Sequence, residues 1–254
     1  MNLKLLTLIL AFAMSLGCSV KEETHSSVEL ADGAYLLADV AMTEQGEVTR
    51  LQRAQMKIYA HDRYMFAFMH ETLDKPDVGA GLTEWKDGVL IESPIFNQDG
   101  PLDSLHFSLN IQQVEGGFLQ SIKGLVSNGH TYDMVETWDR LSGQSSAFDG
   151  LWKLQDRRDD DSDFSQFSEV KMIGGGHFIF SQSFIYEGET QQHFGFGEFS
   201  IDAAGVATET GMASSFADFA GKEHTLIMEL VDADHFNQTF RFSDRDVTQS
   251  YERQ

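Results

Sequence analysis

Phe148-Asp149-Gly150-Leu151-Trp152-Lys153-Leu154 opens the stretch that decides the fold of this chain. It runs on through Val170-Lys171-Met172-Ile173, Gly174-Gly175-Gly176 and His177-Phe178-Ile179-Phe180 to Gly195-Phe196-Gly197-Glu198-Phe199-Ser200-Ile201-Asp202, with a turn signal at Ala204-Gly205. Short aromatic and β-branched runs punctuated by glycine are the pattern of antiparallel strands joined by tight turns.

The same order appears in the first half. Asp32-Gly33-Ala34-Tyr35-Leu36-Leu37 stands where the second half has Asp149-Gly150-Leu151-Trp152-Lys153-Leu154. Lys57-Ile58-Tyr59 and Tyr64-Met65-Phe66 correspond to Lys171-Met172-Ile173 and Phe178-Ile179-Phe180. Gly79-Ala80-Gly81 matches Gly195-Phe196-Gly197, and Glu92 matches Glu209. Phe118-Leu119-Gln120 matches Phe236-Asn237-Gln238, and Glu136-Thr137-Trp138-Asp139-Arg140 matches Gln249-Ser250-Tyr251-Glu252-Arg253. Blocks in one order, at a near-constant spacing of about 115 residues, mark a tandem duplication. Its boundary falls at Ser142-Gly143-Gln144-Ser145-Ser146.

Inside each copy the period is two. Leu105, Phe107, Leu109 and Ile111 alternate with His106, Ser108, Asn110 and Gln112, and Phe236, Gln238, Phe240 and Phe242 share one parity. Such alternation describes half-buried strands with one face on a core, and their spacing suits a meander barrel or a sandwich. Closing the sheet leaves no exposed edge. Glu44 to Gln55 and Met212 to Lys222 read equally as short helices or polar loops.

Composition excludes several functions. The 254 residues carry a formal net charge of −22, which argues against nucleic acid and against a basic patch on an anionic lipid surface. The single cysteine, Cys18, forbids an intramolecular disulfide and a cysteine zinc site. It follows Lys4, the apolar run Leu5 to Leu16, and Gly17, a segment of signal-peptide size. Ser15-Leu16-Gly17-Cys18 resembles a bacterial lipobox, departing from it at Ser15, where that pattern prefers leucine. The resemblance implies a signal peptide over residues 1–17, lipidation of Cys18, a polar tether over 18–30 and a place in the bacterial envelope. Ser19 after the cysteine is similar to the pattern for sorting to the outer membrane, facing the periplasm. The lipid would be the protein's membrane contact.

The ordered blocks Gly150-x-Trp152, Lys171-Met172-Ile173, His177-Phe178, Gly195-x-Gly197 and Glu136-x-Trp138-x-Arg140 resemble the bacterial lipocalin-like family of the calycin superfamily. That resemblance implies an all-β chain of two consecutive eight-stranded up-and-down barrels, over residues 31–142 and 147–254. It also implies that an arginine from the last strand packs over a first-strand aromatic to close each barrel floor: Arg140 with Tyr35, and Arg253 with Trp152.

Chemistry is harder to find. Asp159-x-Asp161-x-Asp163 begins like a calcium loop, but Phe164 and Val170 occupy the positions of its glycine and bidentate glutamate. Gly174-Gly175-Gly176 leads into a strand, so it reads as a hairpin turn and not a phosphate cradle. No metal-ligand spacing, nucleophile elbow or cofactor motif occurs, so no catalytic, metal or cofactor residue is assigned. Isomerase or hydrolase activity of some calycin-like barrels is fold analogy alone. An interior Glu92, Glu136 or Glu209 needs a cationic partner or a raised pKa. The candidate site is a ligand cavity in the second copy, lined by His177, Phe178, Phe180, Phe196, Phe199, Glu209, Phe236, Gln238 and Phe240. The expected ligand is small and apolar or amphipathic. The alternative is a barrel filled by these same side chains, serving as a structural or protein-interaction module.

Overall fold

The computed structural model describes residues 30–70, 75–127, 129–159, 165–242 and 244–254. Cys18 and its flanks, Asp161 and Asp163 lie outside those residues. Ten strands form the first half: β1 (Gly33–Glu44), β2 (Glu47–Leu51), β3 (Gln55–Ala60), β4 (Arg63–Met69), β5 (Pro76–Lys86), β6 (Val89–Asn97), β7 (Gly100–Pro101), β8 (Phe107–Val114), β9 (Gly117–Ser127) and β10 (His130–Ser142). Eight form the second: β11 (Gly150–Arg158), β12 (Ser165–Gly174), β13 (His177–Tyr186), β14 (Glu189–Ile201), β15 (Val206–Ser214), β16 (Glu223–Leu230), β17 (His235–Phe242) and β18 (Arg245–Arg253).

Each half closes on itself as an eight-stranded antiparallel barrel. β11 to β18 form a closed ring in chain order. In the first half β10 returns to β1, β2 and β3 share one stave along β1, and β7 adds a short rung to β6. Among the described residues every strand pairing stays within its own half. Both stretches that read as helix or loop are resolved: Glu44 to Gln55 is mostly the β1–β2 hairpin, and Met212 to Lys222 is the end of β15 and a turn.

The glycines of the repeated Gly-x-Gly have separate jobs, the same in both copies. A Cβ on Gly79 or Gly195 would stand 2.5 or 2.6 Å from the ring of Phe66 or Phe180. One on Gly81 or Gly197 would run into the backbone of the next strand, where a register shift follows Ala80 and Phe196.

The floors also match. Tyr35 donates its hydroxyl to the Ala31 carbonyl (2.6 Å), and Trp152 donates Nε1 to the Phe148 carbonyl (2.8 Å). Arg140 and Arg253 donate to the carbonyls of Asp32 (3.0 Å) and Asp149 (2.5 Å). Arg253 lies 4.0 Å from the centre of the Trp152 ring.

The barrels are not separate beads. Met56, Ile58 and Ala60 alternate with the inward Gln55, Lys57 and Tyr59, yet all six positions of β3 are buried. The outward set packs with Met65, Ala67, Val78 and Ala80 against Leu151, Met172, Ile179, Phe194 and Phe196 of the second barrel. The Gly174-Gly175-Gly176 hairpin, with φ of +61° and +66° at its two turn residues, presses into this joint: a Cβ on Gly175 would lie 2.3 Å from the backbone nitrogen of Ala34. A shared apolar seam thus joins two individually closed sheets.

Candidate functional site

Each barrel interior carries a buried polar cluster on the staves that the duplication repeats. In the first, Lys57 Nζ meets Glu92 Oε1 at 2.7 Å and donates to Gln120 Oε1 at 3.1 Å. Gln120 Nε2 and Trp138 Nε1 donate to Glu136 Oε2 at 2.8 and 3.2 Å. In the second, Lys171 Nζ meets Glu209 Oε1 at 2.5 Å and donates to Gln238 Oε1 at 3.1 Å. Gln238 Nε2 then donates to Gln249 Oε1 at 2.7 Å and to the Tyr251 hydroxyl at 3.2 Å, and that hydroxyl donates to Glu169 Oε1 at 2.6 Å.

Burial governs the titration of these groups. It raises the carboxyls of Glu136 and Glu169 above the ordinary glutamate range, against the opposing pull of Lys57 and Lys171 respectively. Burial likewise pushes the Tyr59 and Tyr251 hydroxyls well up, reinforced by Glu92 and Glu169.

Above this cluster the second barrel is hollow. A cavity of about 600 Å³ is bounded by Lys171, Glu169, Glu209, Gln238 and Gln249 at its base. Phe167, Phe180, Phe184, Leu226 and Phe240 form its walls. The β15–β16 connection contributes Phe216 and Phe219 at the rim. Phe216 stacks on His193 at 4.0 Å and Phe219 on His224 at 4.8 Å. Arg157, Asp218, Glu223 and Arg241 also line it. Apolar walls over a few convergent polar groups can hold a molecule with a greasy body and one polar head.

The residues expected at this site separate into three groups. Phe180, Glu209, Gln238 and Phe240 line the cavity. Phe178, Phe199 and Phe236 fill the barrel beneath it: Phe236 stands edge-on to Trp152 at 4.7 Å and stacks on Tyr251 at 4.6 Å. His177 is a turn residue whose Nδ1 bonds to the Gly175 carbonyl at 2.8 Å. Phe196 is corrected: it faces outward with Phe194 into the seam between the barrels, because alternation along β14 puts it on the face opposite Phe199.

Sequence reading missed Lys171, Glu169 and Gln249 at the base, Phe184 on the wall, and Phe216 and Phe219 at the rim. A signal for Lys171 was present, since a lysine inside an apolar strand recurs at the same place in both copies, as Lys57. Phe216 and Phe219 left none, because a connection's path over a barrel mouth has no period to read. Among the described residues no group of three or more His, Cys, Asp or Glu side chains is placed to hold a metal ion.

No protein-family profile matches the chain, and no curated protein matches it in sequence. Among solved structures it is similar to a protein of unknown function of the DUF3598 family from Nostoc punctiforme. The two are 13% identical over 87% of this chain and 96% of that one, with a TM-score of 0.25, a superposition too loose to carry an argument.

Proposed function

We propose that this is a lipocalin-like binding protein that holds a small apolar or amphipathic molecule in its second barrel. The observation that carries the reading is the cavity of about 600 Å³ with phenylalanine walls above a Lys–Glu–Gln base. That volume falls within the roughly 300–1,000 Å³ usual for small-molecule sites. Titration of the full chain with a neutral naphthalene-type fluorophore should give saturable uptake of one equivalent. Leu226→Trp, which puts an indole into the cavity, should abolish it. A folded protein that takes up neither the fluorophore nor any fatty alcohol would end this reading.

The first barrel is the better candidate for the structural or protein-interaction role. Its interior is occupied by mutually packed rings, with Tyr35 edge-on to Phe118 at 5.0 Å and Phe118 stacked on Trp138 at 6.2 Å. For the cellular setting, the lipobox-like Ser15-Leu16-Gly17-Cys18 supports an envelope lipoprotein held at the outer membrane through Cys18. Metabolic labelling with palmitate should mark the protein, and Cys18→Ala should abolish the label. A fully labelled Cys18→Ala protein would refute the anchor.

A further inference from the structure

One hydrogen bond separates the two interiors and bears on the ligand. In the first barrel Glu92 Oε1 takes two donors, Lys57 Nζ at 2.7 Å and the Tyr59 hydroxyl at 2.7 Å. In the second barrel the residue at the Tyr59 position is Ile173, which has no side-chain donor. Glu209 therefore keeps Lys171 and loses the second donor. It is only 5% exposed, it lines the cavity, and among the described residues no side chain other than Lys171 donates to it. A carboxylate can accept about four hydrogen bonds, and leaving a buried one short of donors is costly.

The other carboxylate of the base is better supplied with donors. Glu169 has three donors: Tyr251 on Oε1, and Gln182 (2.7 Å) and Gln249 (3.4 Å) on Oε2. The Gln238 amide nitrogen spends its hydrogens on Gln249 and Tyr251. Lys171 divides its ammonium between Glu209 and Gln238, with Nζ 5.6 Å from the centre of the Phe178 ring. At the rim Arg157 is paired with Asp159 through a terminal nitrogen (2.8 Å), its buried Nε having no hydrogen-bond partner among the described residues, and Arg241 is paired with Asp246 (3.3 Å), while Asp218 and Glu223 add negative charge.

We infer that the ligand presents a hydrogen-bond donor to Glu209, foremost a protonated amine on an apolar body, and that the cavity rejects fatty carboxylates. The inference rests on the reading of this cavity as a ligand site. An ammonium head would supply the donor that Tyr59 supplies in the first barrel and would bring the base, with two carboxylates and one lysine, nearer to balance. A carboxylate head would add a third negative charge beside Glu169 and Glu209, with two of the three Lys171 ammonium hydrogens directed at Glu209 and Gln238. The chain's net charge of −22 opposes its entry as well.

The test is displacement of the bound neutral fluorophore from the full chain at neutral pH by decylamine, decanol and decanoate, which differ only in the head. A hydrogen bond to a charged group corresponds to roughly tenfold or more in affinity. Decylamine should therefore bind at least about tenfold more tightly than decanoate, with decanol between. Glu209→Gln should remove the advantage of decylamine over decanol. Decanoate binding as tightly as decylamine overturns the inference and leaves the cavity reading standing. Full retention of amine affinity in Glu209→Gln, shown to be folded by circular dichroism, overturns it too. Failure of the fluorophore and all three ligands to bind removes both readings. The ranking on the unaltered protein decides the matter if the variant does not fold.

Discussion

The two barrels have the same interior inventory and different interiors. Each places one lysine, two glutamates and two glutamines inside: Lys57, Glu92, Glu136, Gln55 and Gln120 in one, Lys171, Glu209, Glu169, Gln249 and Gln238 in the other. One glutamate and one glutamine have exchanged staves. Glu136 on β10 corresponds to Gln249 on β18, and Gln55 on β3 to Glu169 on β12. A buried carboxylate is tolerated only with donors around it, so removing it from one stave beside the first strand and restoring it on the stave at that strand's other side keeps the cluster's charge. Packing diverged where the charge count did not. Tyr59, Leu90 and Trp138 become the smaller Ile173, Ala207 and Tyr251, which takes bulk out of the second interior. The comparison teaches that the polar cluster is the part that both barrels need to close, while the space above it is free to become a site.

The sharpest way to break this comparison is to delete the lysine from each cluster. Lys57→Met should cost about 3–5 kcal/mol in denaturant unfolding, because Glu92 and Glu136 stay buried without their cation. Lys171→Met should cost measurably less, since water entering the cavity can solvate Glu209. Equal losses would mean that the second interior is as dry as the first.

A smaller effect concerns the seam. Gly175 and His61 occupy the same hairpin position with similar φ, +61° and +51°. Gly175→Ala should cost about 1–3 kcal/mol and loosen the barrels from one another, because its Cβ strikes the Ala34 backbone and the residue must hold a left-handed φ. His61→Ala, at an exposed turn, should stay within about 0.5 kcal/mol of the parent. Thermal unfolding of the two variants side by side distinguishes a seam contact from a generic turn effect.

The smallest is a pH dependence expected of both barrels alike. Because burial raises the folded-state pKa of Glu136 and Glu169, each contributes its full stability below the ordinary glutamate value of 4.5 and loses it as pH rises through the raised value. Glu136→Gln and Glu169→Gln should therefore match the parent in acid and gain on it as the pH is brought toward neutral. Melting temperatures from pH 4 to 8, an ordinary working range for such a linkage, check the sign. A variant that gains on the parent only in acid would reverse it.

Much of the fold was legible because repetition is. Asp32-Gly33 and Asp149-Gly150, Gly79-x-Gly81 and Gly195-x-Gly197, and Arg140 and Arg253 each perform the same local task twice, so their order announced two closed meanders. The candidate site was legible only in part. Gln238 and Phe240 were reached by strand parity and Glu209 by its repeat position, whereas Phe196 was misplaced because the aromatics were grouped by type, although alternation puts it opposite Phe199. His177 looked like a site residue beside two aromatics, yet its ring serves the turn it follows.

By itself, the amino-acid order determined the strands and the duplication, because alternation and turn glycines act between neighbours along the chain. Only the tertiary structure decided that Met56, Ile58 and Phe196 bind one barrel to the other, that Phe178 and Phe236 fill the floor while Phe180 and Phe240 face a void, and that Glu209 lacks the partner Glu92 has. Those outcomes depend on which side chains meet across separate staves, a property of closure and packing that no single segment encodes.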